Sequence, residues 1–159
     1  MHIRDAEPRD LPALIDLTIE TFRPLLEQHW PALIDPVVFA HDHGTWEQNY
    51  RDELPALLAP ERDRYVTLAE DDSEIVGLAA WNVTEGVAGR IQLVAVRPSA
   101  VRRGIGRAVC LAALEQMRAR GVTVVHVGNG GDPFHAPARA LYASLGFSAL
   151  PIVDFSRSL

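Results

Sequence analysis

The middle of the chain contains three apolar segments in close succession, and their spacing limits what the chain can fold into. Residues 65–70, 74–82 and 90–97 are rich in β-branched and alternating apolar side chains. Only Asp71-Asp72-Ser73 and a short stretch around Glu85-Gly86 separate them. Because such short connections suit hairpins rather than crossovers, the pattern predicts a three-stranded antiparallel meander.

Helices and further strands are predicted on both sides of this meander. Before it we expect a strand at 2–5, an amphipathic helix from 8 to about 27 that Pro24 can break, an irregular or partly helical stretch at 28–44, and a helix from 45 to about 58. After it we expect a helix at 104–120, a strand at 122–127, a helix at 137–145 closed by Gly146, and a last strand at 147–155.

The order of these elements, β-α-α-β-β-β-α-β-α-β, predicts an α/β (α+β) fold in one domain spanning residues 1–159. The expected architecture is a mixed, mostly antiparallel sheet of six to seven strands flanked by four or so helices.

Composition and charge exclude several classes of protein. The net charge of −6 argues against general attraction to nucleic acid or to an anionic membrane. No apolar run approaches the ~18 residues of a membrane span, and the charged N-terminus is unlike a signal peptide, so we expect a cytoplasmic protein. The single cysteine, Cys110, excludes an internal disulfide. His41 and His43 have no third ligand at a suitable spacing, so no metal site is expected.

The stretch after the third meander strand combines features that bind anions. It reads LVAVRPSAVRRGIGRAV over residues 93–109 and leads from a strand into a helix. Unpaired backbone N–H groups and the positive end of the helix dipole meet at such a start. Gly104 and Gly106 leave the main chain accessible, and Arg102, Arg103 and Arg107 add charge. The pattern predicts a phosphate or pyrophosphate site, with a plain glycine turn as the alternative.

Two motifs in the second half resemble those of the GNAT superfamily of acyl-CoA-dependent N-acetyltransferases. Leu93-Val94-Ala95-Val96-Arg97-Pro98 and the downstream Gly104-Ile105-Gly106 resemble the acetyl-CoA motif of that family, Arg/Gln-x-x-Gly-x-Gly/Ala. The segment from His135 to Phe147, with Ala138, Tyr142 and Gly146, is similar to its Asn-x-x-Ala-x-x-Leu-Tyr-x-x-x-Gly-Phe motif. The element order matches as well, so the resemblance covers nearly the whole chain.

The resemblance implies where acetyl-CoA would bind. Main-chain groups of Val94 and Val96 would pair with the pantetheine arm, between that strand and the strand beginning near Val122. The amides of residues 101–106 would hold the pyrophosphate. The implied cofactor-binding residues are Val94, Ala95, Val96, Val101, Arg102, Arg103, Gly104, Ile105, Gly106, Arg107, His135 and Tyr142. The chain departs from the family pattern at Val101, where Arg or Gln is usual, and at His135, where Asn is usual.

The same resemblance suggests catalytic groups. An amine must lose a proton before its nitrogen attacks a thioester, and many relatives place a Glu or His on the third meander strand for this purpose. Arg90 and Gln92 hold those positions here. Glu85 is therefore the candidate carboxylate, with a water chain near Gln92 as the expected proton path. Tyr142 matches the position of the acid that protonates the departing thiolate.

The function implied is N-acetyl transfer from acetyl-CoA to an amine by direct attack in a ternary complex. A non-catalytic acyl-CoA-binding module and a nucleotide-phosphate binder without CoA remain the alternatives. The acceptor is open among small amines, antibiotics, peptides and proteins. We expect no nucleic-acid or membrane partner, and a homodimer is left open.

Overall fold

The computed structural model describes residues 1–84 and 87–159. Within these ranges it contains one sheet of five strands in the spatial order β1-β2-β3-β4-β5. The strands are β1 (His2–Asp5), β2 (Arg64–Asp71), β3 (Glu74–Thr84), β4 (Ala88–Val96) and β5 (Val124–Val127). The first four pair antiparallel, and β5 pairs parallel with β4. The predicted meander and the mixed sheet are therefore present.

Helices cover both faces of this sheet. They are α1 (Leu11–Pro24), α2 (Pro36–His43), α3 (Trp46–Leu57), α4 (Ile105–Ala119) and α5 (Ala136–Ser144). Pro24 lies at the end of α1 and does not break it, because the chain continues into a π-helical turn at Leu25–His29. Asp35 begins α2 by accepting hydrogen bonds from the N–H groups of Val37 and Val38, so the stretch expected to be irregular or partly helical is partly helical.

Two apolar cores follow from the alternation of side chains along the strands. Leu78 and Ala80 of β3 lie in the core on the α1 side, with Leu14 and Leu17. Their neighbours Ala79 and Trp81 lie in the opposite core, where Val109, Cys110 and Met117 of α4 are fully buried and where α5 also packs. The sheet is thus a middle layer between helices, and it holds the end of β4 rigidly between them.

Strands β4 and β5 separate part of the way along their length. Their pairing runs from Ala88 opposite Val124 to Ile91 opposite Val127 and then stops. On its other edge β4 remains paired with β3 up to Val96, with a bulge that leaves Gln92 between the paired residues Ile91 and Leu93. Among the described residues, the second half of β4 therefore presents an unpaired edge to a gap, and the chain leaving β5 forms the other side.

The expectation of six to seven strands is wrong, because the predicted strand at 147–155 does not form. Residues 147–159 carry no regular structure, and a strand needs a hydrogen-bonded neighbour that this segment lacks among the described residues. Its apolar side chains are exposed instead, with Leu150 at 83%, Ile152 at 79% and Phe155 at 89% of full accessibility. No helix in the described ranges is long and apolar enough to cross a membrane.

Candidate active site

The open edge of β4 offers main-chain hydrogen-bonding groups to the gap. The N–H of Arg97 donates to the carbonyl of Val76 on β3, so the polar groups of Arg97 face β3. Successive residues of a strand present these groups to alternate edges, so Val94 and Val96 face the gap. The hydroxyl of Thr21 near the end of α1 lies within hydrogen-bond distance of two carbonyls, Leu17 at 2.8 Å and Val96 at 3.1 Å, so its single proton is shared between them. Ala95 has its side chain buried at 1% exposure and its backbone towards β3, which leaves it no group for a ligand in the gap.

The turn from β4 into α4 contains a run of unpaired backbone donors. Among the described residues, the N–H groups of residues 101–107 donate no hydrogen bond to the protein. An ordinary helix start leaves four such groups unpaired. Arg102 and Gly104 adopt left-handed conformations, with φ of 63° and 77°, and such turns curve successive N–H groups into a concave surface. The positive end of the α4 dipole adds to the attraction for an anion.

The three arginines of this turn have different surroundings. Arg103 is ion-paired with Asp71 at the end of β2, and Arg107 donates to the hydroxyl of Ser144 on α5 at 3.1 Å. Arg102 forms no hydrogen bond or ion pair within the described part of the chain and is exposed. Arg102 is consequently the side chain that can move to an anion without first breaking an existing contact.

The two glycines of the motif serve different purposes. A Cβ on Gly104 would meet no atom within 4 Å, whereas one on Gly106 would come within 3.3 Å of Leu141 on α5. Gly106 therefore lets α4 and α5 approach closely, whereas Gly104 borders open space and allows the left-handed backbone of the turn. Ile105 between them is buried, at 2% exposure, so only its backbone can take part.

Tyr142 lies on α5, one residue beyond the Leu141 that contacts Gly106. Its ring packs edge-on against Phe147, with 6.0 Å between the centroids. Burial, and to a lesser extent the neighbouring Cys110, raises the pKa of Tyr142 to about 12. The phenol therefore keeps its proton at neutral pH, although it is a weaker acid than an exposed tyrosine. Burial also raises the pKa of the Cys110 thiol to about 12, so this cysteine carries no thiolate to act as a nucleophile.

The candidate base from the sequence falls outside the described residues. Nothing is described for Glu85, so its position relative to the gap stays a prediction. Gln92 lies at the β4 bulge and donates its amide to the side-chain oxygen of Asn82 at 2.9 Å. Its own amide oxygen is left to accept a hydrogen bond, which fits the expected role in orienting water but gives no basic group.

An ionisable pair lies at the far side of the gap, and the sequence reasoning did not identify it. His135 Nδ1 lies 2.7 Å from the Asp132 carboxylate, and Asp132 also accepts the N–H of His135. Burial is the largest single influence on Asp132 and would raise its pKa. The hydrogen bonds from His135 and from Trp30 outweigh it, and they hold the pKa of this carboxyl below its usual range. The sequence did contain a local indication of this contact, because Asp132-Pro133 is typical of a helix start, where the Asp side chain bonds a backbone N–H of the first turn.

Aromatic side chains from the first third of the chain close this side of the gap. Phe134 contacts Phe22 and His29, with centroid separations of 6.3 and 5.5 Å. Trp30 contacts His43 at 4.7 Å and His135 at 6.4 Å. The end of α1 thus reaches both Val96 on one side of the gap and Phe134 on the other, which makes the gap a walled cleft.

This cleft lies within a region that matches a family model. Residues 18–147 match the model described as "Acetyltransferase (GNAT) family". The chain belongs to the GNAT acetyltransferase family. The match covers β4, the turn at residues 101–107, β5 and α5, which surround the gap.

Solved GNAT structures share the fold of this chain. The PaiA N-acetyltransferase of Thermoplasma acidophilum, solved in complex with coenzyme A, is 16% identical with a TM-score of 0.73, covering 92% of this chain and 89% of that one. A GNAT family acetyltransferase of Brucella melitensis, in complex with acetyl-CoA, is 22% identical with a TM-score of 0.64, covering 93% and 82%.

Curated relatives of this GNAT chain are named mycothiol acetyltransferase. The protein of that name from Thermomonospora curvata is 31% identical over 140 residues, which cover 83% of this chain and 44% of the relative. Across the curated relatives, the matched region spans 29% to 50% of their length.

Proposed function

We propose that this GNAT chain binds acetyl-CoA in the cleft between β4 and the chain leaving β5, and that it transfers the acetyl group to an amine. The observation that supports this most strongly is the run of unpaired N–H groups at residues 101–107, directly next to the open edge of β4. A pyrophosphate needs several donors in a concave arrangement, and an extended amide-containing arm needs an unpaired strand edge. Both lie side by side here.

The residues present fit the cofactor that this family uses. The amides of residues 101–107 and the free guanidinium of Arg102 would hold the pyrophosphate, while Val94 and Val96 would bond the pantetheine amides. Arg103 and Arg107 would contribute positive charge from their existing contacts. Acetyl-CoA supplies the acetyl group as a thioester, which is already activated towards attack by an amine nitrogen.

Tyr142 is proposed to protonate the departing thiolate. Its ring is held by packing against Phe147, and its hydroxyl forms no hydrogen bond among the described residues. Since its pKa is about 12 and that of a thiol is ~8.5, full proton transfer is less favourable than from an exposed tyrosine. We therefore expect its contribution at the low end of the ~10²–10⁴-fold range of general acids.

Direct attack on the thioester is proposed rather than a relay through the enzyme. Cys110 is the single cysteine of the chain, it is fully buried, and its raised pKa keeps it as a thiol. An acetyl-cysteine intermediate would need a thiolate that reaches the cleft. Both substrates would therefore be bound together when the acetyl group moves.

The deciding experiment measures thiol release from acetyl-CoA in the presence of a panel of primary amines. The panel contains simple alkylamines, an aminoglycoside and a lysine-containing peptide, and mass spectrometry identifies the acetylated product. We expect amine-dependent thiol release with one acetyl group gained by the amine. Tight CoA binding without turnover on any amine would favour a non-catalytic acyl-CoA-binding module, and protection against heat by ATP rather than CoA would favour a nucleotide-phosphate binder.

A further inference from the structure

The loop after β5 holds a histidine in one orientation. Asp132 accepts from His135 Nδ1 at 2.7 Å, and an ionised carboxylate can only accept, so Nδ1 must carry the proton. In neutral His135 the lone pair is therefore on Nε2. Nε2 has no hydrogen-bond partner among the described residues and is not fully buried.

Several contacts fix this pair in place. Trp30 directs its indole N–H at the same carboxylate oxygen of Asp132, at 3.5 Å. Arg139 on α5 donates to the carbonyls of Gly130 and Asp132 at 2.7 and 2.8 Å. Gly130 passes so close that a Cβ there would collide with the Asp132 carboxylate. The side chains of Asp132 and His135 are only 9% and 13% exposed, so the imidazole is held by its surroundings and is not a freely rotating surface group.

Contacts of the adjacent residue Phe134 connect the pair to the end of α1, which also reaches β4. Phe134, the residue before His135, contacts Phe22 of α1, and the preceding residue of α1, Thr21, bonds the Val96 carbonyl on the opposite wall. The other titratable groups nearby are His29 against Phe134, His43 against Trp30, and Arg139, whose guanidinium is engaged with the loop carbonyls. Among the described residues, neither His29 nor His43 has a carboxylate partner that would fix its tautomer as Asp132 does for His135.

We infer that His135 is the general base of the proposed acetyl transfer and that Asp132 is its positioning residue. This role differs from the cofactor contact that the resemblance implies for residue 135, and it rests on the proposed function. Nε2 takes one proton from the acceptor ammonium, directly or through one water. The nitrogen lone pair then forms the new C–N bond, and the C–S bond breaks as the carbonyl re-forms.

The protons of this sequence balance without any further reactant. Tyr142 gives its proton to the departing sulfur, and the second proton of the acceptor nitrogen returns through solvent to Tyr142. His135 releases the first proton to solvent. The sum converts an ammonium and a thioester into an amide, a thiol and one proton. An imidazole oriented by a carboxylate is the arrangement that general bases use in other acyl transfers.

The first test needs neither cofactor nor acceptor. Nitrogen-15 NMR of the imidazoles in the free protein, with the His135 signals identified by their loss in His135→Asn, reports which ring nitrogen carries the proton. We expect Nδ1 to be protonated and Nε2 to be bare in the neutral ring. Gly130→Ala should abolish this preference by displacing the Asp132 carboxylate. A neutral His135 protonated on Nε2 would overturn the inference.

The second test separates the base from a cofactor contact. His135→Asn keeps a side chain that can bond Asp132 but removes the base, so kcat/KM for the amine should fall by ~10²–10⁴-fold and lose its acidic limb. CoA affinity measured by calorimetry should stay within about threefold. Asp132→Asn should lower the rate and shift the tautomer signal, and His41→Asn, whose side chain is 86% exposed on α2, should change nothing.

The outcomes distinguish this inference from the proposed function. Wild-type protein that binds CoA but acetylates no amine would refute the proposed function, and the base assignment with it. Wild-type turnover that survives His135→Asn with an unchanged pH profile would refute the base assignment alone. If His135→Asn only raises the KM for acetyl-CoA, residue 135 contacts the cofactor and is not the base.

Discussion

Gly104 provides the sharpest test of the proposed cofactor site, because the chain contains a matched control. Gly104 and Gly121 flank α4, at its start and just beyond its end, with φ of 77° and 82°. A Cβ on either would meet no protein atom within 4 Å. The two positions share conformation and open surroundings, and the 15 residues of α4 separate them by ~22 Å. Of the two, Gly104 belongs to the run of unpaired N–H groups, whereas the N–H of Gly121 donates to the Arg118 carbonyl.

The expected magnitudes follow from this geometry. An L-residue in the left-handed region costs ~1–2 kcal/mol, partly offset by ~0.4–1 kcal/mol from the stiffer unfolded chain. Gly104→Ala and Gly121→Ala should therefore each lower the free energy of unfolding by ~1 kcal/mol, which corresponds to a Tm about 2–4 °C lower. In Gly104→Ala the added methyl group would also enter the space proposed for the pyrophosphate. The loss of one hydrogen bond to a charged oxygen, ~1.5–3 kcal/mol, corresponds to a ~10–100-fold weaker Kd for CoA.

The assay is calorimetric titration of CoA into each variant, with Tm measured in parallel. Gly104→Ala should lose affinity and Gly121→Ala should retain it, while both lose the same stability. Equal CoA affinity in the two variants would refute the placement of the pyrophosphate at this turn. Gly106→Val is a less clean probe, since its side chain would displace Leu141 beside Tyr142.

The remaining four predictions concern the side chains of Tyr142, Arg102 and Cys110. Tyr142→Phe should lower kcat ~10²-fold, which corresponds to an activation barrier ~2.7 kcal/mol higher, with little change in the KM for acetyl-CoA. The control Tyr65→Phe removes a hydroxyl that bonds Asp63 and should leave kcat unchanged. If chemistry is rate-limiting and Tyr142→Phe keeps kcat within threefold of wild type, Tyr142 is a packing residue. Because the phenol remains a donor until its raised pKa of about 12, no alkaline limb attributable to Tyr142 should appear near 10 in the pH–rate profile. Arg102→Ala should weaken CoA binding more than Arg103→Ala does, because Arg103 is already engaged with Asp71; the reverse order in calorimetry would contradict this. Cys110→Ala should retain turnover within about threefold, and intact-mass measurements that detect an acetylated enzyme would argue for the relay that we exclude.

Much of the fold could be predicted, because the spacing of apolar residues and the length of the connections determine these strands and helices locally. The meander follows from alternating apolar residues and short connections, and the start of α4 follows from Gly104 and the apolar spacing after it. The segment at 147–155 shows where such reasoning fails. Its composition favours an extended chain, but strand formation depends on a partner edge, which is a tertiary property that periodicity does not encode.

The candidate site likewise contains some features that the sequence predicts and others that it does not. The donors at residues 101–107 are backbone N–H groups of a turn. The two glycines of that turn allow it to be predicted from the sequence. The assembly of Asp132 and His135 with Trp30 joins positions 102 residues apart, and no local pattern indicates that contact. The different surroundings of Arg102 and Arg103 depend likewise on Asp71, which lies on another strand. The surroundings of these side chains therefore depend on long-range contacts, whereas the sequence identifies them only as candidates.

We propose that the cleft between β4 and the chain leaving β5 holds acetyl-CoA. A crystal structure of the protein grown with CoA tests it most directly. We expect the pyrophosphate within hydrogen-bond distance of the N–H groups of residues 101–107, and the pantetheine arm paired with Val94 and Val96 so that its thiol lies near Tyr142. CoA bound anywhere else on the protein, with this turn and the open edge of β4 left without contact to it, would contradict the account.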